Sequence, residues 1–465
     1  MYKEKNHMQT AISESRSVST ARERWAWYLY DFGNSAYAAV VLLAVYSTYF
    51  KEQVVGGAEG SRLWGLAVGI AMLIVAVISP VLGTLADFSG AKKRFLFFFT
   101  AQACLATALL FFVGQGDVVT GMIFFILAEV GYRSAQVFYN SLLPEIAGPD
   151  EIGRVSGNGW AIGSVGGIIC LLIVLPLIVL IGGPVVVRLS LVITAVFFAL
   201  SAAPIFLWLR ERAQPQSLPE GESHVAIAFK RLTTTFRAVR SYREFVKFVV
   251  SFLVYNDGIL MALDFAAIFG AVVFGLNQQE LIIFMIIVQV TSVAGAYLAG
   301  LAMDHLGGKR VLVISILFMV ASVVGLFFNQ TRPGFFVIGA LAGAALTAVQ
   351  SVSRTVVGLF APPGKSAEFY GFFAVVGRTS SFIGPTVYGW IAAEAYLWFK
   401  ARGAAAGLLW FEAFPLGKEL AEQLGQRLAV LSIVVFLVTG LVLLLLVKEP
   451  KTQAAAELSE GDASA

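Results

Sequence analysis

Gly83-Thr-Leu-Ala-Asp87-Phe-Ser-Gly90-Ala-Lys92-Lys93-Arg94 lies between two long apolar runs, and Gly300-Leu-Ala-Met-Asp304-His-Leu-Gly307-Gly-Lys309-Arg310 lies between two others. Gly83 maps onto Gly300, Asp87 onto Asp304, Gly90 onto Gly307 and Lys92 onto Lys309, at a constant offset of 217 residues. The same internal spacing in two places divides the chain into related halves. The apolar flanks of each copy put both halves in a membrane.

Composition agrees. Of 465 residues, 58% are hydrophobic and 13% charged, and the mean hydropathy is +0.81. Soluble domains carry about 25% charge, so a soluble chain this apolar could not cover its own surface. A helix needs roughly 20 apolar residues to cross the hydrocarbon. Such runs fall near 28–50, 63–86, 94–114, 118–141, 159–183 and 188–208, then 244–272, 281–303, 311–329, 334–357, 369–396 and 427–447. The reading predicts an all-α polytopic membrane protein whose 12 transmembrane helices form two pseudo-symmetric six-helix bundles, 25–208 and 244–447. A tail (1–24), a polar linker (209–243) and a disordered Ala-, Glu- and Ser-rich tail (448–465) complete it, with 398–426 expected as a loop of mixed character, with or without a short interfacial helix. No cleaved signal peptide is expected, because the first 24 residues are polar.

Lys and Arg set the orientation. Arg22, Arg24, Lys92, Lys93, Arg94, Arg154, the cluster from Arg210 to Lys247, Lys309, Arg310, Lys365 and Lys448 fall on one side, and far fewer fall on the other. The positive-inside rule then places both termini, the linker and both copies of the loop pattern in the cytoplasm, as in a bacterial-type inner membrane. No basic tract is long enough for nucleic acid. Cys104 and Cys170 form no CxxC pattern, and no Gly-x-x-x-x-Gly-Lys-Ser/Thr loop is present. No cofactor or metal is expected, and the chain is expected to be a monomer among membrane lipids. The short loops leave no room for a catalytic domain.

Each loop copy reads as a conformational latch. Gly83 and Gly300 let helices approach closely. Asp87 and Asp304 can sit at the N-terminus of a neighbouring helix, where orphan amides and the dipole favour an anion. Gly90 and Gly307 hold the same place in both copies, and the basic residues Lys93, Arg94, Lys309 and Arg310 can pair with carboxylates and snorkel to the headgroups. One latch per half suits the stabilisation of a state closed at the cytoplasmic face.

A second set of motifs carries a resemblance. Trp27-Tyr-Leu-Tyr30-Asp31-Phe-Gly-Asn34-Ser35-Ala36-Tyr37 opens span one, and Tyr132-Arg133-Ser-Ala-Gln136-Val-Phe138-Tyr139-Asn140-Ser-Leu-Leu-Pro144-Glu145 ends span four. Ser156-Gly-Asn-Gly159-Trp160 opens span five, Tyr255-Asn256-Asp257-Gly258 lies in span seven and Gln350-Ser-Val-Ser353-Arg354 ends span ten. The loop pattern resembles the signature loop of the major facilitator superfamily. The set as a whole resembles the vacuolar amino-acid effluxers linked to autophagy in fungi, and their bacterial relatives. The resemblance implies a secondary transporter exporting an amino acid or a related metabolite.

Charge within the spans is costly, roughly 2.5–3.5 kcal/mol per residue on insertion scales, so each case asks for a reason. Asp31 and Asn34 share a face of span one, as an interfacial anchor beside Trp25 and Trp27 or as part of a site. Glu129, Arg133, Gln136 and Asn140 are spaced four, three and four, which places them on one face of span four. Glu129 and Arg133 can pair within the helix. Facing a central cavity, Arg133 would take a carboxylate and Glu129 an amine or a proton. Asn256, Asp257 and Asp264 mark span seven, where two carboxylates on one face suit proton coupling. Gln350 lies one turn inside Arg354, which reads as a snorkelling residue. Arg378, deeper in span eleven, needs an acidic partner, Asp257 or Glu129. The expected function is a secondary transporter moving a small polar solute, with or without protons. A membrane receptor or scaffold and an interfacial lipid-modifying enzyme are the competing classes.

Overall fold

The computed structural model describes residues 19–148, 150–212, 242–276, 278–362, 365–379, 383–405 and 415–448. Thr20 starts the first helix, α1 (Ala21–Tyr37), with a capping box. Its side chain accepts from the Glu23 amide, and Glu23 accepts in return from the Thr20 amide at 2.8 Å. The helix continues as π-helical turns over Ala38–Ala44 and Phe50–Val55, with one α-turn (Tyr46–Tyr49) between them. Tyr46 and Tyr49, on that α-turn, are buried, and their hydroxyls donate to the carbonyls of Gly121 and Val113 at 3.0 Å each.

The rest of the first bundle is α2 (Gly57–Ser89), α3 (Lys92–Leu109), α4 (Val118–Ser141), α5 (Ile152–Leu180) and α6 (Pro184–Trp208). The second is α7 (Arg243–Phe274), α8 (Gln278–Leu306), α9 (Gly308–Phe328), α10 (Arg332–Phe360), α11 (Ser366–Thr379), α12 (Ile383–Ala405) and α13 (Pro415–Leu445). Ten helices among the described residues are long and apolar enough to cross a membrane. Within α2, Leu66–Ser79 and Val81–Ser89 meet at a 40° bend and make an eleventh span. The break falls at Pro80, which has no amide to donate. The expected span 369–396 is divided between α11 and α12, and 380–382 lies outside the described residues.

One expectation is corrected. The stretch 398–426 is not a loop where it is described: α12 runs on to Ala405 and α13 begins at Pro415. Proline suits a first helical turn, and Leu416, Leu420, Ala421 and Leu424 follow at helical spacing. Hydropathy alone hides a helix whose opening turns are polar. Residues 1–18, most of the linker (213–241), 406–414 and the tail from 449 lie outside the described residues.

The two loop patterns sit at one end of the molecule, here called the motif end. Gly90 and Gly307 have φ of +60° and +84°, the left-handed region that glycine enters without steric cost. Each lets α2 turn into α3, or α8 into α9, within a couple of residues. The bundles meet where α2 and α4 pack on α11 and where α5 packs on α8 and α10.

Candidate functional site

The interface at the motif end is built twice. In the first copy, Asp87 accepts a hydrogen bond from the backbone amide of Glu368 at 2.8 Å. In the second, Asp304 accepts from the backbone amide of Arg154 at 3.1 Å. Glu368 is the third residue of α11 and Arg154 the third residue of α5. Each aspartate therefore satisfies an orphan amide in the first turn of a helix of the opposite bundle, at the positive end of its dipole.

The copies differ in burial. Asp87 and Lys92 are both buried, with Lys92 Nζ 3.1 Å from Asp87 and 2.7 Å from Glu145. Lys92 also donates to Ser366 Oγ at 2.8 Å, and that hydroxyl donates to the Ser141 carbonyl at 2.9 Å. Asp304 is only half-buried. Sequence reasoning put Lys93 and Arg94 in this latch and missed Lys92. In the structure Lys93 Nζ instead donates to the carbonyls of Phe206 and Leu209 at the end of α6, and Arg94 is exposed. Lys309 does the same for the end of α13, through Leu445 and Val447, while Arg310 is exposed. In each bundle a loop lysine thus serves a helix C-terminus. The start of the linker closes over this end. Glu211 accepts from the Lys92 and Lys93 amides, and burial pushes its carboxyl above its ordinary value.

Glycine sets how closely the bundles approach. A Cβ on Gly157 of α5 would lie 2.6 Å from the Ala296 carbonyl oxygen and 2.8 Å from Gly300 Cα. A Cβ on Gly83 would strike the Ala367 backbone.

Deeper in, Arg354 corrects the sequence reading. It is buried rather than snorkelling. It donates to Ser156 Oγ at 3.1 Å, to the Ser156 carbonyl at 2.7 Å and to Asp31 at 3.5 Å. Its guanidinium lies 5.0 Å from the Trp27 ring centroid, 5.4 Å from Trp160 and 5.9 Å from Tyr139. Asp31 is accordingly no interfacial anchor: it is buried and meets a cation from the other bundle. Asn34, one turn on, is buried too.

Glu129 and Arg133 pair at 2.6 Å within α4, and the Tyr37 hydroxyl donates to the other Glu129 oxygen at 3.1 Å. Glu129 is fully buried, while the Arg133 side chain keeps 16% of its surface exposed. Gln136 and Asn140 continue that face, half-buried. In the second bundle, Gln350 donates to Asn256 at 3.0 Å. Asp257 is buried, while Asp264, two turns further along α7, keeps exposed surface. The side chain of Arg378 lies outside the described residues. Of the polar pairs in this region, Asp31–Arg354 crosses between the bundles, Glu129–Arg133 stays within one helix and Asn256–Gln350 within one bundle.

Comparison with known proteins places this architecture. Residues 64–395 match the family described as vacuole effluxer Atg22 like. An uncharacterized MFS-type transporter of Bacillus subtilis, YxiO, is 28% identical over 396 residues, which cover 83% of this chain and 91% of that one. Autophagy-related protein 22 of Yarrowia lipolytica is 26% identical over 275 residues, 52% of this chain and 46% of its own length. The chain thus spans about half of that fungal relative. A bacterial homologue of the iron transporter ferroportin in an outward-facing state superposes with a TM-score of 0.66 at 11% identity, over 92% of this chain and 99% of that one. The major facilitator transporter FucP superposes with a TM-score of 0.63 at 13% identity, over 90% and 98%. A multi-pass membrane transporter with the major facilitator fold, the chain belongs to the Atg22-like vacuole effluxer family.

Proposed function

We propose that this chain is a secondary transporter that moves a small polar solute, an amino acid, by alternating access of its two bundles. The observation that carries this reading is the pair of cross-bundle caps, Asp87 on the α11 amide and Asp304 on the α5 amide. Contacts of this kind exist only while the motif end is closed, so they bias a two-state equilibrium. The charge bias assigns that end to the cytoplasm, with both termini, so the conformation is one closed on the cytoplasmic side. Gly83, Asp87, Gly90 and Lys92, with Gly300, Asp304 and Gly307, form the latch, and Lys93 and Lys309 anchor it to the bundle ends.

The solute site lies between the halves, where carriers of this architecture place it. Arg133 has exposed surface and one committed partner, which leaves guanidinium donors for a carboxylate. Glu129, Gln136 and Asn140 on α4, Asn34 on α1 and Asn256, Asp257, Asp264 and Gln350 across the cleft supply the remaining polar groups, with Arg378 on α11. The direction is export, coupled to protons through a span carboxylate. Both finer statements rest on the family and on the buried acids. Reconstitution in sealed proteoliposomes, with a panel of amino acids and with and without a pH gradient, tests the reading. Counterflow of at least one amino acid is expected, and a protein that moves nothing from a broad panel refutes it.

A further inference from the structure

The Arg354 guanidinium occupies a receptor that belongs entirely to the opposite bundle. Asp31 and Trp27 come from α1, Tyr139 from α4, and Ser156 and Trp160 from α5. The first bundle holds this receptor in shape without help from Arg354. The Trp27 indole N–H donates to the Tyr139 carbonyl at 3.0 Å, and the Trp27 and Tyr139 rings stack at 4.5 Å. Tyr139 stacks in turn on Tyr30 at 4.9 Å, and Gly159 leaves room for the Trp27 ring.

Its chemistry is that of a cation site. One wall is a buried carboxylate, another a serine hydroxyl with its carbonyl, and the rest are aromatic faces, which attract cations through their quadrupole. Asn34 Oδ1, one turn beyond Asp31, is buried and has no hydrogen-bond partner among the described residues. A further acceptor on the same helix is therefore unused.

Alternating access must separate Arg354 from this receptor, because the two lie on different bundles and meet at the motif end. Asp31 then loses its counter-charge, and a cationic cage opens toward the cavity. We propose that this cage binds the positively charged group of a transported solute, a guanidinium or primary ammonium, and that Arg354 is a tethered competitor that fills the cage when the motif end closes. This rests on the carrier reading above and narrows its substrate class to solutes bearing a positive charge. It also supplies a release step: closure returns Arg354 to the cage and expels the bound cation.

The test uses the full chain in nanodiscs and agmatine as probe, a guanidinium and an ammonium without a carboxylate. Arg354→Ala removes the competitor, so agmatine should bind about tenfold tighter or more than to wild type, since the competent state is no longer occupied by the tether. Asp31→Asn in the same background should abolish that binding. Equal affinity in wild type and Arg354→Ala, or binding that survives Asp31→Asn, overturns the proposal. If Arg354→Ala does not fold, Arg354→Gln replaces it. A counterflow arm decides independently: agmatine should inhibit counterflow by wild type, and Trp160→Leu should weaken that inhibition. Counterflow of neutral amino acids that agmatine leaves untouched keeps the carrier reading and overturns the cage. No counterflow of any solute refutes the carrier, while the binding arm still decides the cage.

Discussion

Gly157 of α5 and Gly300 of α8 meet backbone to backbone across the two bundles, with the Cβ position of Gly157 only 2.8 Å from Gly300 Cα. Gly300 is the first residue of the repeated pattern, so the pattern encodes proximity as well as charge. Any side chain at Gly157 must push α8 away. Gly157→Val should therefore favour the state open at the motif end by about 1–3 kcal/mol, the usual cost of overpacking. Ser351→Cys, introduced with Cys104→Ala and Cys170→Ala, reports on this directly. Ser351 is buried beside Ser156 of the opposite bundle, and an impermeant maleimide should label it at least about tenfold faster in the Gly157→Val background.

The two aspartate caps should not be equal. Asp87→Asn leaves the buried Lys92 with Glu145 as its remaining counter-charge, and breaking a buried pair costs about 3–5 kcal/mol when nothing compensates. Asp304 is half-buried, and asparagine in its place still offers an oxygen to the amide, so the loss is that of the charge at the helix end, about 0.3–1 kcal/mol. Labelling at Ser351→Cys should rise clearly more in Asp87→Asn than in Asp304→Asn. An equal rise would mean that the Lys92 network adds nothing to the latch.

Arg133 is predicted to have two separable roles. Arg133→Ala strands the fully buried Glu129 carboxylate and should lower stability by about 3–5 kcal/mol. Glu129→Gln with Arg133→Gln removes both charges and should recover most of that stability, read as the melting temperature in detergent. Counterflow should not recover, because the carboxylate-binding guanidinium is still missing. If the double variant transports normally, the pair is structural and the solute site lies elsewhere.

The pattern of success in the sequence reading has physical causes. Helical spans are local: a run of twenty apolar residues declares itself, and each span from α1 to α10 falls where hydropathy puts one. The loop copies were legible because duplication repeats spacing. Arg354 was not, since its partners Asp31 and Trp27 lie more than 300 residues away on another bundle, and a lone arginine near a span end looks like a snorkelling residue. Lys92 was passed over for Lys93 and Arg94 because three consecutive basic residues look alike in sequence. Only the turn at Gly90 decides which of them points inward. Asp257 and Asp264 share a helical face, but one is buried and the other keeps exposed surface, and spacing carries no information on what packs against each position.

Proton coupling through α7 should depend on Asp257 rather than Asp264. Asp257 lies about 14 residues into α7, which at 1.5 Å per residue is roughly 21 Å from its start and near the middle of the hydrocarbon. A permanent charge there is costly, so a proton that neutralises it changes the energy of the state in which it is buried. Asparagine in its place is neutral in every state and cannot carry a proton through the cycle. Asp257→Asn should therefore abolish accumulation driven by a pH gradient while leaving counterflow, which needs no net proton movement, within about threefold of wild type. Asp264→Asn should leave gradient-driven accumulation intact, because a carboxylate that keeps exposed surface holds its charge at less cost than the buried Asp257. Gradient-driven accumulation that survives Asp257→Asn would move the coupling site to another carboxylate, and Asp31 is then the next to replace.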